Sequence, residues 1–347
     1  MLAKWNHADS LPTLVTSRRR FLGAILAAML SRPGGVHARP AASVHRVAFV
    51  NPGLEEDVVV FRERLRELGY LDARNLELRV FEDDQEAVIR QAVAWSPHLI
   101  KVCYRKNVAM LRRLTATIPI VFSRVGGFRG REAAELGVES TSRPGGNVTG
   151  VYLDFNLSKR LELARMIVPG AKRVAIFFDS ESLTESAKGY FTDANMLATA
   201  QGIQLVKVDY ARFKSATPEA LESIEKAPID ALIVDGEFRA RPQIEMEPHS
   251  RRRNLVMAFQ KRKRIPVIGG YEGLAVQGAL ACVGPDYREL TRLAADQAAM
   301  ILNGANPATL PVVFGRRTRL VVNARSAREI GITLSPEVLL LADRVIE

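Results

Sequence analysis

Only two cysteines, Cys103 and Cys282, stand in a chain of 347 residues, and they offer no framework of paired thiols. Each lies in an apolar run, LIKVCY and GALACVG, where a buried free thiol is the expectation. No run of 18 apolar residues occurs, so nothing reads as a membrane-spanning helix. Beyond the N-terminal segment the histidines are His45, His98 and His249, scattered without the spacing of zinc ligands. Catalytic signatures are missing too. GGNVTG at 145–150 departs from G-x-G-x-x-G, and neither a phosphate-binding G-x-x-x-x-G-K-[ST] nor a G-x-S-x-G elbow appears. These absences leave one enzymatic alternative, a pair of carboxylates such as Asp179 and Glu237 brought together in space. No catalytic residue, metal or cofactor is expected.

What is present is ordinary for a globular chain: 47% hydrophobic residues, 25% charged residues and a formal charge of +11. Part of that charge sits in residues 1–38. Ser17, Arg18, Arg19, Phe21 and Leu22 form an S-R-R-x-F-L pattern, followed by an apolar run too short to span a bilayer. This reads as a twin-arginine export signal cut near Ala38, which would make the protein periplasmic. The five basic residues of the signal outnumber Asp9 by four, so its removal lowers the charge from +11 to +7. The runs RRR at 251–253 and KRKR at 261–264 read as a solvated helix face, and no nucleic-acid partner is expected.

At this length two domains are the default, and the text repeats itself accordingly. RVAFVNPG at Arg46–Gly53 returns as RVAIFFDS at Arg173–Ser180, LIKV returns as LIV, and IPIV returns as IPVI, in the same order. Each half alternates apolar strands with amphipathic helices. In the first helix Val58, Phe61, Leu65 and Leu68 share a face, Glu55, Glu56 and Asp57 sit at its positive end, and Gly69 stops it. Asn107 is the expected cap of a helix through Leu114. Alternation of this kind predicts an α/β fold of two Rossmann-like lobes, each a parallel sheet covered on both faces. Lobe 1 is expected over 46–150 plus about 276–304, and lobe 2 over 151–275 plus about 305–347. The chain would therefore cross a hinge several times.

At STSRPGGNVTGV, Ser140–Val151, the text resembles the bacterial ABC-transporter substrate-binding family with the type I periplasmic-binding-protein fold. RELGYLDARNLEL at 66–78, TIPIVF at 117–122 and KRLELARMIVPGAKRVAI at 159–176 carry the same likeness, and LVVNARSAREIGITLSPEVLLLADRVIE at 320–347 matches the family ending. Characterised members of that family include binders of aromatic amino acids. The loops after the strands depart from the family pattern: this chain reads VGGFRGRE at 125–132, FDSESL after the first strand of lobe 2, and VDGEFRARP after its third.

In open parallel sheets ligands bind beyond the carboxyl ends of the strands. The candidate ligand-binding residues of lobe 1 are accordingly Asn51, Gly53, Tyr104, Arg105, Gly127 and Phe128. Tyr152 and Asp154 sit at the first crossover. Lobe 2 adds Asp179, Ser180, Asp235, Glu237, Phe238, Tyr271 and Glu272. Aromatic rings at this mouth suit a planar or apolar ligand body, and the cations beside them suit a small anionic or zwitterionic solute. The resemblance implies an exported solute-binding component that serves an ABC permease in the inner membrane, closes about its hinge and works as a monomer. A periplasmic sensor docking on a membrane receptor is the alternative.

Overall fold

A computed structural model of the protein describes residues 44–126, 131–153, 157–178, 194–209, 217–226, 228–234 and 246–347. The expected signal at 1–38 lies outside the described residues. The first half runs β1 (His45–Val50), α1 (Glu55–Glu67), β2 (Leu76–Phe81), α2 (Glu86–Ala94), β3 (Leu99–Cys103), α3 (Arg105–Leu114), β4 (Ile120–Gly126), α4 (Arg131–Leu136) and β5 (Val148–Leu153). The second runs α5 (Leu157–Ile167), β6 (Arg173–Phe178), a helical stretch α6 at 194–200, β7 (Gln204–Asp209), α7 (Thr217–Glu225), β8 (Ala231–Val234), α8 (Met246–Lys263), β9 (Val267–Gly269), α9 (Glu272–Val276) and β10 (Ala281–Pro285). The last stretch is α10 (Tyr287–Leu302), β11 (Val313–Phe314), β12 (Thr318–Asn323), α11 (Ala324–Ile330), α12 (Pro336–Leu341) and β13 (Arg344–Ile346).

These strands form two sheets, ordered β11-β5-β4-β3-β1-β2 and β13-β12-β10-β9-β8-β6-β7. Every pairing is parallel except β10 with β12. The central strands β3 and β8 are buried along their whole length, as sheets covered on both faces require. Each sheet separates two apolar clusters. In sheet 1, Val47, Phe49 and Cys103 face α1 and α10, whereas Val50, Ile100 and Phe122 face the helices opposite. Of the face read for α1, Phe61 and Leu65 meet Leu290 and Ala294 of α10 in a single cluster, with Val58 partly buried beside them and Leu68 exposed.

The hinge crossings divide the chain differently from the expected boundaries. β5 extends to Leu153 within sheet 1. β10, expected with lobe 1, pairs with β9 and β12 and so belongs to sheet 2; only α10 of that stretch packs on sheet 1. β11, expected with lobe 2, pairs with β5. The reason is that the chain crosses three times, around Leu153–Leu157, Pro285–Tyr287 and Phe314–Thr318, and each crossing falls between a strand of one sheet and the next element of the other lobe.

Backbone hydrogen bonds lash the crossings together. The Gly315 N–H donates to the Tyr152 carbonyl at 3.0 Å, and the Asp286 N–H donates to that of Arg317 at 2.9 Å. Glu289 Oε2 accepts from the N–H groups of Arg316 and Arg317 at 3.1 and 2.8 Å, and the Asp286 carboxylate caps α10. The basic run at the end of α8 is spent on ion pairs: Lys261 with Glu329, and Arg262 and Lys263 with Glu225. That suits a solvated face.

Candidate functional site

Three strands of sheet 1 end on backbone that ordinary residues avoid. Asn51 after β1, Tyr104 after β3 and Arg124 in β4 have φ of 45°, 69° and 57°. They are three of the six non-glycine residues with positive φ among the described residues, and all three lie at the same edge of one lobe. Such strain gathers where surrounding structure fixes a functional wall. At Arg124 the register between β4 and β5 also shifts, between Phe122 and Val125, so the arginine sits on a bulge that re-aims its side chain.

The re-aimed guanidinium goes inward. Its side chain is 1% exposed, Nη2 donates to Asp57 Oδ1 at 2.7 Å, and its carbon stacks 3.8 Å from the centre of the Tyr287 ring. Asp57 is then fully engaged, because Thr291 Oγ1 donates to the same oxygen at 3.2 Å and the Leu54 N–H to the other at 2.9 Å. One buried ion pair thus joins the β1–α1 loop, β4 and the start of α10, the helix that follows the second hinge crossing. Gly53 is required there: a Cβ on it would stand 2.7 Å from Arg124 Cδ and Nε and from the Tyr104 hydroxyl.

Beneath this wall lies a lysine. Lys101, in the middle of β3, is wholly buried, donates from Nζ to Ser123 Oγ at 2.7 Å, contacts Cys103 Sγ at 3.4 Å and lies 4.7 Å from the centre of the Phe49 ring. Burial pushes its pKa below the ordinary lysine value, against the upward pull of Cys103 and Asp57. Asn107 stands in the first turn of α3, which starts at Arg105, and does not cap it; its amide donates to the Cys103 carbonyl at 2.9 Å.

Lobe 2 has a comparable arrangement. Arg160 of α5 is 2% exposed and its Nε donates to the Val283 carbonyl at 3.3 Å. Gly270, directly after β9, leaves space for that guanidinium, which a Cβ there would strike. Gly284 in β10 is pressed against the Gly270 carbonyl. Between the lobes a cavity of about 220 Å³ is walled by Leu54 and Tyr287 on one side and Tyr271 and Gly273 on the other, with Glu56, Glu272, Arg288 and Arg319 at its edges.

The sequence candidates separate accordingly. Asn51, Gly53 and Tyr104 come together at the lobe 1 wall, with Arg105 one residue on, 3.8 Å from Glu135. Tyr271 and Glu272 line the interlobe cavity, where Glu272 pairs with Arg344 at 2.7 Å and Arg319 at 3.3 Å. Tyr152 packs on the opposite face of sheet 1 from Tyr104, edge-on to Phe314 at 5.2 Å, and so belongs to the hinge. Gly127, Phe128, Asp154, Asp179, Ser180, Asp235, Glu237 and Phe238 lie outside the described residues. Arg124, Asp57, Lys101 and Arg160 were missed. A lysine in the apolar run LIKVC and an arginine inside IVFSRV are the signals that point to two of them.

A family model described as ABC transporter substrate binding protein matches residues 44–346. A tyrosine-binding protein of Clostridioides difficile (strain R20291) is 25% identical over 285 residues, covering 79% of this chain and 76% of its own. A conserved domain protein of Vibrio cholerae superposes with a TM-score of 0.70 at 25% identity, over 87% of this chain and 100% of that one. A Streptococcus pneumoniae ABC domain in complex with L-Trp superposes with a TM-score of 0.71 at 20% identity, over 88% and 100% of the two chains.

Proposed function

Because this chain belongs to the ABC transporter substrate-binding protein family, we propose that it is an exported protein that captures a small amino-acid-like solute between its lobes and delivers it to an ABC permease. The observation that carries the reading is a cavity between the lobes, walled by Leu54 and Tyr287 of lobe 1 and by Tyr271 and Gly273 of lobe 2, next in the chain to the strand ends where Asn51 and Tyr104 hold positive φ. Such a wall is rigid enough to recognise a solute before the lobes close.

Closure is the working step. A solute held first by lobe 1 gains contacts from lobe 2 only in the closed form, and that differential affinity shifts the population. The three parallel crossings let the lobes rotate while each sheet stays intact. The protein binds its solute and releases it unchanged, works as a monomer and acts in the periplasm. The S-R-R-x-F-L pattern at Ser17–Leu22 supports export by the twin-arginine route. The remaining strand-end candidates, Gly127, Phe128, Asp154, Asp179, Ser180, Asp235, Glu237 and Phe238, complete the two walls in this reading.

Melting residues 39–347 against amino acids and small organic acids tests it. A true solute at one hundred times its dissociation constant adds about 2.7 kcal/mol to stability, and at about 2–4 °C per kcal/mol that is a plainly visible upward shift. Turnover of a solute without saturable binding would favour the enzymatic alternative. Replacing both Arg18 and Arg19 by lysine should hold the protein in the cytoplasm; normal export of that variant would refute the twin-arginine route.

A further inference from the structure

Beside the hinge a second cavity, of about 540 Å³, is lined from both lobes. From lobe 1, α1 and α10 supply Arg64, Arg288 and Arg292; β12 supplies Arg319 from lobe 2, and Arg317 comes from the third crossing. Among the described residues no aromatic ring lines it. Planar guanidinium forks gathered in this way form a surface for carboxylate or phosphate oxygens.

The carboxylates in the lining are already committed. Asp286 Oδ1 accepts from the Arg288 and Glu289 N–H groups at 3.0 and 3.2 Å, Glu289 Oε2 from those of Arg316 and Arg317, and Asp343 Oδ2 from that of Leu320 at 2.7 Å. Asp296 Oδ1 accepts from Arg64 Nε at 2.6 Å. The glutamates that hold the other arginines stand outside the lining: Glu67 accepts from Arg292 at 3.0 and 2.7 Å, Glu56 pairs with Arg288, and Glu272 lies 3.3 Å from Arg319. A guanidinium carries five N–H donors, so each keeps donors beyond those engaged. Arg317 is held most loosely, with its side chain 74% exposed and 4.0 Å from Asp286. Lys159 adds a cation at the edge, donating to the Thr318 hydroxyl at 2.8 Å. Donors therefore outnumber acceptors in the lining, the condition for taking up an anion.

We propose that this cavity is an anion site, separate from the solute cavity, that takes a small polycarboxylate bridging the two lobes. Its volume falls within the span of about 300–1,000 Å³ usual for small-molecule sites, and arginines on separate elements suit several carboxylates better than a single oxyanion centre. Asp286, Arg288 and Arg319 line both cavities, so an anion here meets charges at the edge of the solute cavity and ties α10 to β12. The site goes beyond the solute-capture reading and does not depend on it.

Calorimetric titration of the purified protein with citrate and with inorganic phosphate, against sodium chloride at matched ionic strength, tests the site. Wild type should bind citrate with a dissociation constant below about 1 mM, and phosphate at least about tenfold more weakly. Arg317→Gln should weaken citrate binding about tenfold, the loss of one charge-assisted hydrogen bond. That residue lines the anion cavity but not the solute cavity, and its exposed side chain can be exchanged without disturbing the fold. Arg328→Gln, which changes an exposed arginine on α11, should bind citrate as wild type does. Wild type that takes up no citrate overturns the site, and that measurement needs no variant. Arg317→Gln that binds citrate as tightly as wild type, or Arg328→Gln that loses as much, overturns it too, because the anion would then sit in the solute cavity or in a general field of charge. Phosphate bound as tightly as citrate overturns the choice of a polycarboxylate. The solute-capture reading, tested by its own melting screen, stands in each case.

Discussion

Replacing Lys101 by methionine should make the protein more stable. The amine is wholly buried in the central strand of sheet 1 and meets the Ser123 hydroxyl, the Val102 carbonyl, the Cys103 thiol and the Phe49 ring, with no carboxylate in direct contact. Exchanging buried ionisable groups for apolar ones of similar volume gains about 1–4 kcal/mol. Losing the hydrogen bonds to Ser123 and to the Val102 carbonyl returns about 2 kcal/mol, which leaves a net gain of up to about 2 kcal/mol near neutral pH. At about 2–4 °C per kcal/mol, the melting temperature should rise by several degrees. The pH dependence identifies the cause. Burial lowers the Lys101 pKa in the folded state, while the unfolded amine holds its proton up to about pH 10.4. Between those two values folding releases a proton, so wild-type stability rises with pH across that window. The penalty is full below the window and gone above it. The advantage of Lys101→Met in urea titrations should accordingly be largest at neutral pH and shrink as pH climbs toward 10. A variant that is less stable than wild type at neutral pH, or whose advantage does not change with pH, would show that the amine is not a buried liability.

Three further substitutions test the wall and its floor. Arg124→Ala strands Asp57 as a buried carboxylate without its cation and should cost about 3–5 kcal/mol, whereas adding Asp57→Leu should restore part of that loss; additive effects in urea titrations would rule out a coupled pair. Gly53→Ala sets a methyl group against the Tyr104 hydroxyl and the Arg124 side chain, an overpacking that costs about 1–3 kcal/mol. Gly284→Ala meets the Gly270 carbonyl, which is backbone and cannot turn aside, so its unfolding midpoint should fall further than that of Gly53→Ala; the reverse order would mean that β9 and β10 separate easily.

The periodic parts of the fold were legible because they obey local rules. The repeated RVA phrases do open β1 and β6, and Phe61 and Leu65 of the face read for the first helix do bury against sheet 1. The hinge was harder to read, since which sheet receives β10 or β11 depends on pairing between residues far apart: Ala281 with Val322 and Val313 with Val151. For the site, position after a strand was enough to select Asn51, Gly53 and Tyr104. It could not reveal that Tyr152 faces the opposite side of the sheet, which is set by the alternation along β5, where Val151 and Leu153 take the other face. Nor could it reveal Arg124 and Arg160, since an arginine inside an apolar run reads as a surface residue until its carboxylate, ring or carbonyl partner is seen.

The paired arginines indicate where closure must occur. Each lobe carries one beneath its wall, Arg124 under Gly53 and Arg160 under Gly270, and each glycine is small because a guanidinium fills the space its side chain would need. Walls built this way cannot bend toward a solute without breaking a buried charged contact, which costs more than a rotation of the lobes. The movement is therefore left to the three crossings. There the Glu289 carboxylate holds Arg316 and Arg317 by their backbone N–H groups, and Gly315 lies against Leu290 so closely that a methyl group would collide with it. Gly315→Ala should alter the balance between open and closed forms more than it alters the walls. Small-angle scattering with and without a bound solute reads that balance, and an unchanged radius of gyration in both states would place the pivot elsewhere.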